Sequence, residues 1–149
     1  MTIMVATQPV TSSRTVAALG VASGLLATAW TVYGAHHWGE IAIVLGILAV
    51  ATPLVFGLFV PRALRKESAG GTALGLSIPA VLVLIPAFWS GLPLVLGVAG
   101  LVVGNAGRRA PTGANKCIAA VVLGALAALG YVAIYLFDAM QGGAGFLFD

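Results

Sequence analysis

The stretch from Gly71 to Gly107 decides how this chain folds. It reads GTALGLSIPAVLVLIPAFWSGLPLVLGVAGLVVGNAG and contains no Lys, Arg, Asp or Glu. A transmembrane helix needs about 20 apolar residues, so this stretch is far too long for one helix across ~30 Å of hydrocarbon. A tight turn, Ser90-Gly91-Leu92-Pro93, interrupts it, and proline is tolerated in the first turn of a helix. We therefore expect two helices, at about 72–89 and 92–105.

The basic residues support two helices in this stretch. They occur before the first apolar run and then in alternate connections: Arg14, Arg62, Arg65, Lys66, Arg108, Arg109 and Lys116. With two crossings between 71 and 107, all seven lie on one side of a membrane, which is the positive-inside pattern. With one crossing, the last three would lie outside. We predict that these seven residues determine topology, with the N-terminus cytoplasmic and the C-terminus outside.

Composition places the whole chain in a membrane. Of its 149 residues, 60% are hydrophobic and only 7% are charged, with a mean hydropathy of +1.10. Soluble domains carry roughly 25% charged residues. The net charge of +3 comes from short loops, whereas a nucleic-acid-binding protein needs a clustered basic face. The partner predicted first is the lipid bilayer, and no nucleic acid is expected.

Three further apolar runs complete an all-α integral membrane fold with five transmembrane helices in one polytopic domain, 1–149. These runs cover about 15–34, 40–60 and 116–137. Pro61 and the basic loop after it are expected to end the second helix.

The first run has an alternative interpretation. Arg14, the apolar segment 16–26 and Ala27-Thr28-Ala29 match a signal peptide with its cleavage site, and cleavage would leave four helices. We favour an uncleaved helix because the apolar character continues to Tyr33 and only one positive charge precedes it.

Two short segments suggest an internal repeat. Ile43-Val44-Leu45-Gly46-Ile47 resembles Leu94-Val95-Leu96-Gly97-Val98, and each precedes a basic loop and another apolar helix. The second and third helices would then form a hairpin duplicated, in parallel orientation, by the fourth and fifth.

Small residues predict where the helices pack. In lipid the hydrophobic effect does not drive helices together, so they associate where small side chains let their backbones come close. Small residues four apart occur in four of the five runs, and in the last run they are Ala120, Gly124 and Ala128. The glycines in these patterns are Gly20, Gly24, Gly71, Gly75, Gly100, Gly104 and Gly124. We expect most to form seams within the chain. The first helix, which stands outside the repeat, is the best candidate for an external seam.

Prolines and aromatic residues predict local features of the spans. Kinks are expected at three prolines inside the helices: Pro53, Pro79 and Pro86. An aromatic belt at the outer interface is expected from six residues: Trp30, Tyr33, Trp38, Trp89, Tyr131 and Tyr135.

The sequence offers little catalytic chemistry. No ionisable residue occurs in the middle of any span, although such residues mark ion paths and proton relays. His36, His37 and Glu40 are candidate metal ligands at the outer rim, but a metal site needs three or four ligands with supporting contacts. Cys117 is a single cysteine at the start of the last helix. We expect no catalytic residues, no cofactor, and a hydrated loop rather than a metal site.

Residues 92–136, with LVLGVAGLVVG, a double-Arg loop and AAVVLGAL, resemble the small Gly/Ala-rich hairpins of uncharacterised actinobacterial membrane proteins. The resemblance covers about a third of the chain. It implies a bacterial inner membrane and an accessory role, and no functional residue can be carried over. Five helices depart from the usual two-helix hairpin.

Three functions follow from these features. The favoured one is a non-enzymatic integral membrane protein that packs beside another membrane protein or self-associates. The second is a small oligomeric transporter or channel, which the prolines and the repeat favour and the uncharged interior opposes. The third is a membrane enzyme or metal-binding protein that uses His36, His37 and Glu40. The sequence identifies no small-molecule substrate.

Overall fold

The protein is all-helical wherever the computed structural model describes it, which is residues 12–34, 38–65, 69–108 and 113–141. Five helices occur in these ranges: α1 (Ser13–Gly34), α2 (Trp38–Leu64), α3 (Gly70–Leu82), α4 (Leu92–Gly107) and α5 (Ala114–Met140). The all-α prediction is therefore confirmed. Only α1, α2 and α5 are by themselves long and apolar enough to cross a membrane, which indicates a membrane protein.

The outer surface of the bundle is apolar, as expected for a protein solvated by lipid. Large hydrophobic side chains point outward on each of the long helices, including Leu25 at 65% exposure, Val50 at 59% and Leu129 at 69%. Exposed apolar side chains are normal when they occur singly, but an exterior covered with them is unfavourable in water.

Helix α4 lies at the centre. Helices α3, α4 and α5 pack closely on one another, while α1 and α2 pack together and against α4. Most positions on α4 are buried. Its 16 residues span roughly 24 Å, which is short for a bilayer. The surrounding helices largely shield this short helix from lipid.

The contacts differ from those of a duplicated hairpin. Helices α4 and α5 form an extensive interface, whereas α2 and α3, over the residues described, make almost no contact. The two sequence-similar segments therefore occupy different environments: Gly97 packs against α5, and Gly46 has open space beside it.

The third helix ends earlier than expected. It stops at Leu82, and irregular turns lead to a short 3-10 segment at Phe88–Ser90. Pro86 lacks the N–H that would bond to the Leu82 carbonyl, and its ring would clash with that carbonyl in a continuous helix. Pro86 therefore ends the helical region rather than kinking a helix that continues to Trp89.

The second helix continues further than expected. It passes Pro61 and ends at Leu64, and it contains a π-helical turn at Val55–Phe59 in which the Val60 N–H donates to the Val55 carbonyl. The ring of Pro61 would clash with the Gly57 carbonyl in a regular α-helix, and a π-turn just before proline moves that carbonyl away. The π-turn explains why Pro61 does not end α2.

Two glycines in the left-handed backbone conformation mark where α4 and α5 begin. Gly91 has φ +69° and precedes α4, and Gly113 has φ +81° and precedes α5. A Cβ on Gly91 would also lie 2.7 Å from the Cβ of Ala27, so this position needs glycine for two reasons.

A matched pair of glycine substitutions tests the central packing. A Cβ at Gly124 would lie 2.6 Å from the Gly97 carbonyl oxygen, whereas at Gly75 it would meet nothing within 4 Å. We expect Gly124→Ala to lower the free energy of unfolding by about 1–3 kcal/mol, because backbone cannot move aside without separating α4 from α5. Gly75→Ala should be neutral or stabilising, because alanine favours helix by about 1 kcal/mol. Denaturation in mixed micelles measures both, and equal effects would contradict the packing described.

Candidate functional site

The predicted seam on α1 is an internal contact with α2. A Cβ at Gly20 would lie 2.7 Å from Cγ of Phe56, and one at Gly24 would lie 3.3 Å from the Thr52 side chain. The expectation that α1 carries an external packing face is therefore wrong, because α2 already covers these two glycines.

The predicted glycines on α4 and α5 are also internal. Gly100 lies directly against the Ser77 hydroxyl, which donates a 2.8 Å hydrogen bond to the Ala120 carbonyl. A Cβ at Gly104 would lie 2.9 Å from the Cys117 carbonyl oxygen. Gly124 and Gly97 approach each other reciprocally. These glycines let three backbones meet around α4, and Ser77 links α3 to α5 across that contact.

The predicted glycines on α3 lie elsewhere. Gly71 and Gly75 are exposed, and a Cβ on either would meet nothing within 4 Å. Gly70 makes the close contact instead, since its Cβ would lie 3.0 Å from the Gly113 carbonyl oxygen. The seam predicted at Gly71 and Gly75 is thus not formed within the described chain, because the helix presents the preceding residue to α5.

Helix α2 has a surface of small residues that faces outward. We call it the α2 stripe, and it consists of five exposed residues: Gly39, Ala42, Gly46, Ala49 and Pro53. Their spacing alternates three and four residues, which places them along one face of a helix. Nothing lies within 4 Å of a Cβ built at Gly39 or Gly46. The sequence prediction missed this stripe because only two of its five members are glycines and they are seven residues apart.

The end of the bundle opposite the basic loops contains an aromatic cluster. Trp30 of α1 stacks on Tyr135 of α5 with ring centroids 5.3 Å apart and an interplanar angle of 23°. Phe88 and Tyr131 also contact Tyr135, at 5.9 and 5.0 Å between centroids. The cluster is the main described link between α1 and α5.

This cluster corrects half of the predicted aromatic belt. Tyr131 is fully buried, Tyr135 is nearly so and Trp30 is half-buried, so these three fill the interior. The other three predicted members are exposed, as a belt requires: Tyr33, Trp38 and Trp89. The Trp30 indole N–H finds no acceptor among the described residues. Burying such a donor costs about 1–3 kcal/mol.

The candidate metal ligands can be located only in part. His36 and His37 lie outside the described residues, and Glu40 is exposed in the first turn of α2. Within the described ranges, no three His, Cys, Asp or Glu side chains come together as a metal site would require. Cys117 is a buried free thiol beside Gly107.

The topology residues that the structure describes are all exposed: Arg14, Arg62, Arg65, Arg108 and Lys116. Lys66 and Arg109 lie outside the described residues.

Neither a protein-family model, a curated protein nor a solved structure matches this chain.

A double-mutant cycle tests the aromatic cluster. We expect Trp30→Ala and Tyr135→Ala to show a coupling free energy of about 0.5–1.5 kcal/mol, because stacked rings contribute that much beyond their buried area. The control pairs Trp38→Ala with Tyr135→Ala, since Trp38 is 86% exposed. Unfolding in mixed micelles measures both cycles. Additive effects for Trp30 and Tyr135 would show that the stack does not couple α1 to α5.

Proposed function

We propose that this protein is a non-enzymatic, multi-pass protein of the bacterial cytoplasmic membrane that binds another transmembrane helix laterally, from a different protein or from a second copy. The observation that carries the proposal is the α2 stripe. Small residues run along the exposed side of a 27-residue apolar helix, and none of the described residues lies within 4 Å of a Cβ built at Gly39 or Gly46. In lipid, faces of this kind let helix backbones approach closely, and van der Waals contact then drives association.

Comparison of the two similar segments supports the proposal. Gly97 of α4 occupies the position that Gly46 occupies in α2, and Gly97 seats the backbone of α5: a Cβ there would lie 2.9 Å from the Gly124 carbonyl oxygen. A similar local sequence therefore already forms a close helix–helix contact in this protein. On α2 that surface is open, and its alternating three-four spacing suits a left-handed crossing of about +20°.

The proposal includes five membrane crossings. Helix α3 is 13 residues long, so it needs the turns up to Ser90 to cover the membrane thickness. The N-terminus would then be cytoplasmic and the C-terminus external. Support comes from the close contact of Ala69 and Gly70 with Gly107 and Lys116, which brings two basic connections to one end.

Substitution of Gly46 tests the lateral contact. Leucine fits there without disturbing the fold, because a Cβ meets nothing within 4 Å. We expect Gly46→Leu to weaken association at least about ten-fold, or 1.4 kcal/mol, because the added bulk keeps the partner helix away. The measurement is native size and co-purifying protein after mild detergent extraction from native membranes.

The matched control is Ala22→Leu, which adds similar bulk at an exposed position of α1. It should leave the complex intact. A wild-type chain that is monomeric with no stoichiometric partner would refute the proposed association. A different protein in the complex would identify an accessory subunit, and a homo-oligomer would identify self-association.

Reporter fusions test the topology. A reporter inserted after Arg108 should be active only on the cytoplasmic side, and one at Asp149 only on the external side. If the 71–107 stretch crossed only once, the reporter after Arg108 would be external and the one at Asp149 cytoplasmic. Both reporters on the same side would show that α5 does not cross.

A further inference from the structure

The fold brings separate basic segments of the chain to one end of the bundle. Beside Gly107, the Cβ of Ala69 lies 3.1 Å from the position that a Cβ would take. A Cβ at Gly70 would lie 3.0 Å from the Cβ of Lys116. The end of α4, which leads into Arg108, therefore meets the start of α3 and the start of α5.

The first two helices add their basic residues to the same end. They run antiparallel, with Gly20 opposite Phe56 and Gly24 opposite Thr52. Continuing this register by six residues in each helix brings Arg14 level with Arg62. The last turn of α2, Val60–Leu64, also packs against α4. We use the term basic rim for the described cations at this end: Arg14, Arg62, Arg65, Arg108 and Lys116.

The basic rim has no neutralising partner within the described chain. All five side chains are exposed, and none forms an ion pair with a described residue. The described acids, Glu40 at the start of α2 and Asp138 near the end of α5, are at the opposite end of the bundle. Glu67 lies outside the described residues.

We propose that the basic rim binds the headgroups of anionic phospholipids as a single site. Each basic segment alone has too few cations, since clusters of four to eight Lys or Arg beside a membrane helix are typical of anionic-lipid binding. The five cations of the folded rim reach that range. Arginine also suits phosphate, because its guanidinium donates two parallel hydrogen bonds. The inference depends on the membrane location but not on the lateral partner proposed above.

The test compares two lipids with the purified, delipidated full chain in mild detergent. Phosphatidylglycerol and phosphatidylcholine with identical acyl chains are titrated, and bound lipid is counted by native mass spectrometry alongside the thermal unfolding midpoint. We expect phosphatidylglycerol to bind at least about ten-fold more tightly and to raise the midpoint more. Equal binding of the two lipids would overturn the proposal.

Charge variants test whether the segments act together. Arg62→Gln and Arg108→Gln should each lower phosphatidylglycerol affinity about five-fold without changing phosphatidylcholine affinity. The expected size follows because each cation near an anionic surface contributes about 1 kcal/mol. The control is Glu40→Gln with Asp138→Asn at the opposite end, which should leave the lipid preference unchanged. If either Arg variant kept the full preference, the rim would not be one site.

Two further measurements on the wild-type chain keep the proposal testable if a variant misfolds. The preference should fall as NaCl rises to 1 M, where the screening length is about 3 Å, and a salt-independent preference would contradict it. Soluble glycerol 3-phosphate at the same concentration should not replace the lipid. If it raised the unfolding midpoint equally, the rim would be a site for free phosphate instead.

Discussion

The whole structure depends on the close approach of backbones around α4. Lipid tails are as apolar as the side chains, so burial from water does not hold these helices together, and contact between backbones must do so. The reciprocal contact of Gly97 and Gly124 provides it between α4 and α5, and the Ser77 hydroxyl adds a hydrogen bond from α3 to α5. With α4 enclosed in this way, its shortness matters little, because a helix that barely meets lipid does not have to match the bilayer thickness.

Helix number followed from the sequence, but the facing of each helix did not. The charge spacing and the Ser90–Pro93 turn were enough to predict two helices in the 71–107 stretch, and both are present. Which glycine of α3 meets α5 depends on where α5 stands, and no local pattern contains that information. Gly70 and Gly71 point in directions that differ by about 100° around the helix axis. The sequence predicted the helix correctly, but it did not show which side of that helix faces α5, so the predicted contact residue was wrong.

Two local predictions, the end of α3 and the aromatic belt, were wrong for physical reasons. The apolar run up to Trp89 favoured a long third helix, although Pro86 removes the backbone bond to Leu82 and ends α3 there. Aromatic residues near the end of a span suggested an interfacial belt, but a side chain two-thirds of the way along a helix can point inward as easily as outward. Tyr131 and Tyr135 are one turn apart and both point into the bundle, where Tyr135 stacks on Trp30 of α1, so they belong to the core.

The two outward surfaces of α2 occupy different depths, which makes their roles separable. The α2 stripe ends at Pro53, and Arg62 of the basic rim is nine residues further along, roughly 14 Å at 1.5 Å per residue. A helix seated on the stripe would lie within the hydrocarbon, while a headgroup at the rim would lie at the interface. The π-turn at Val55–Phe59 lies between the two surfaces. The irregular helix geometry that accommodates Pro61 therefore does not disturb the spacing of residues in either surface. On α2, the proposed lateral partner and the proposed anionic lipid would therefore not block each other.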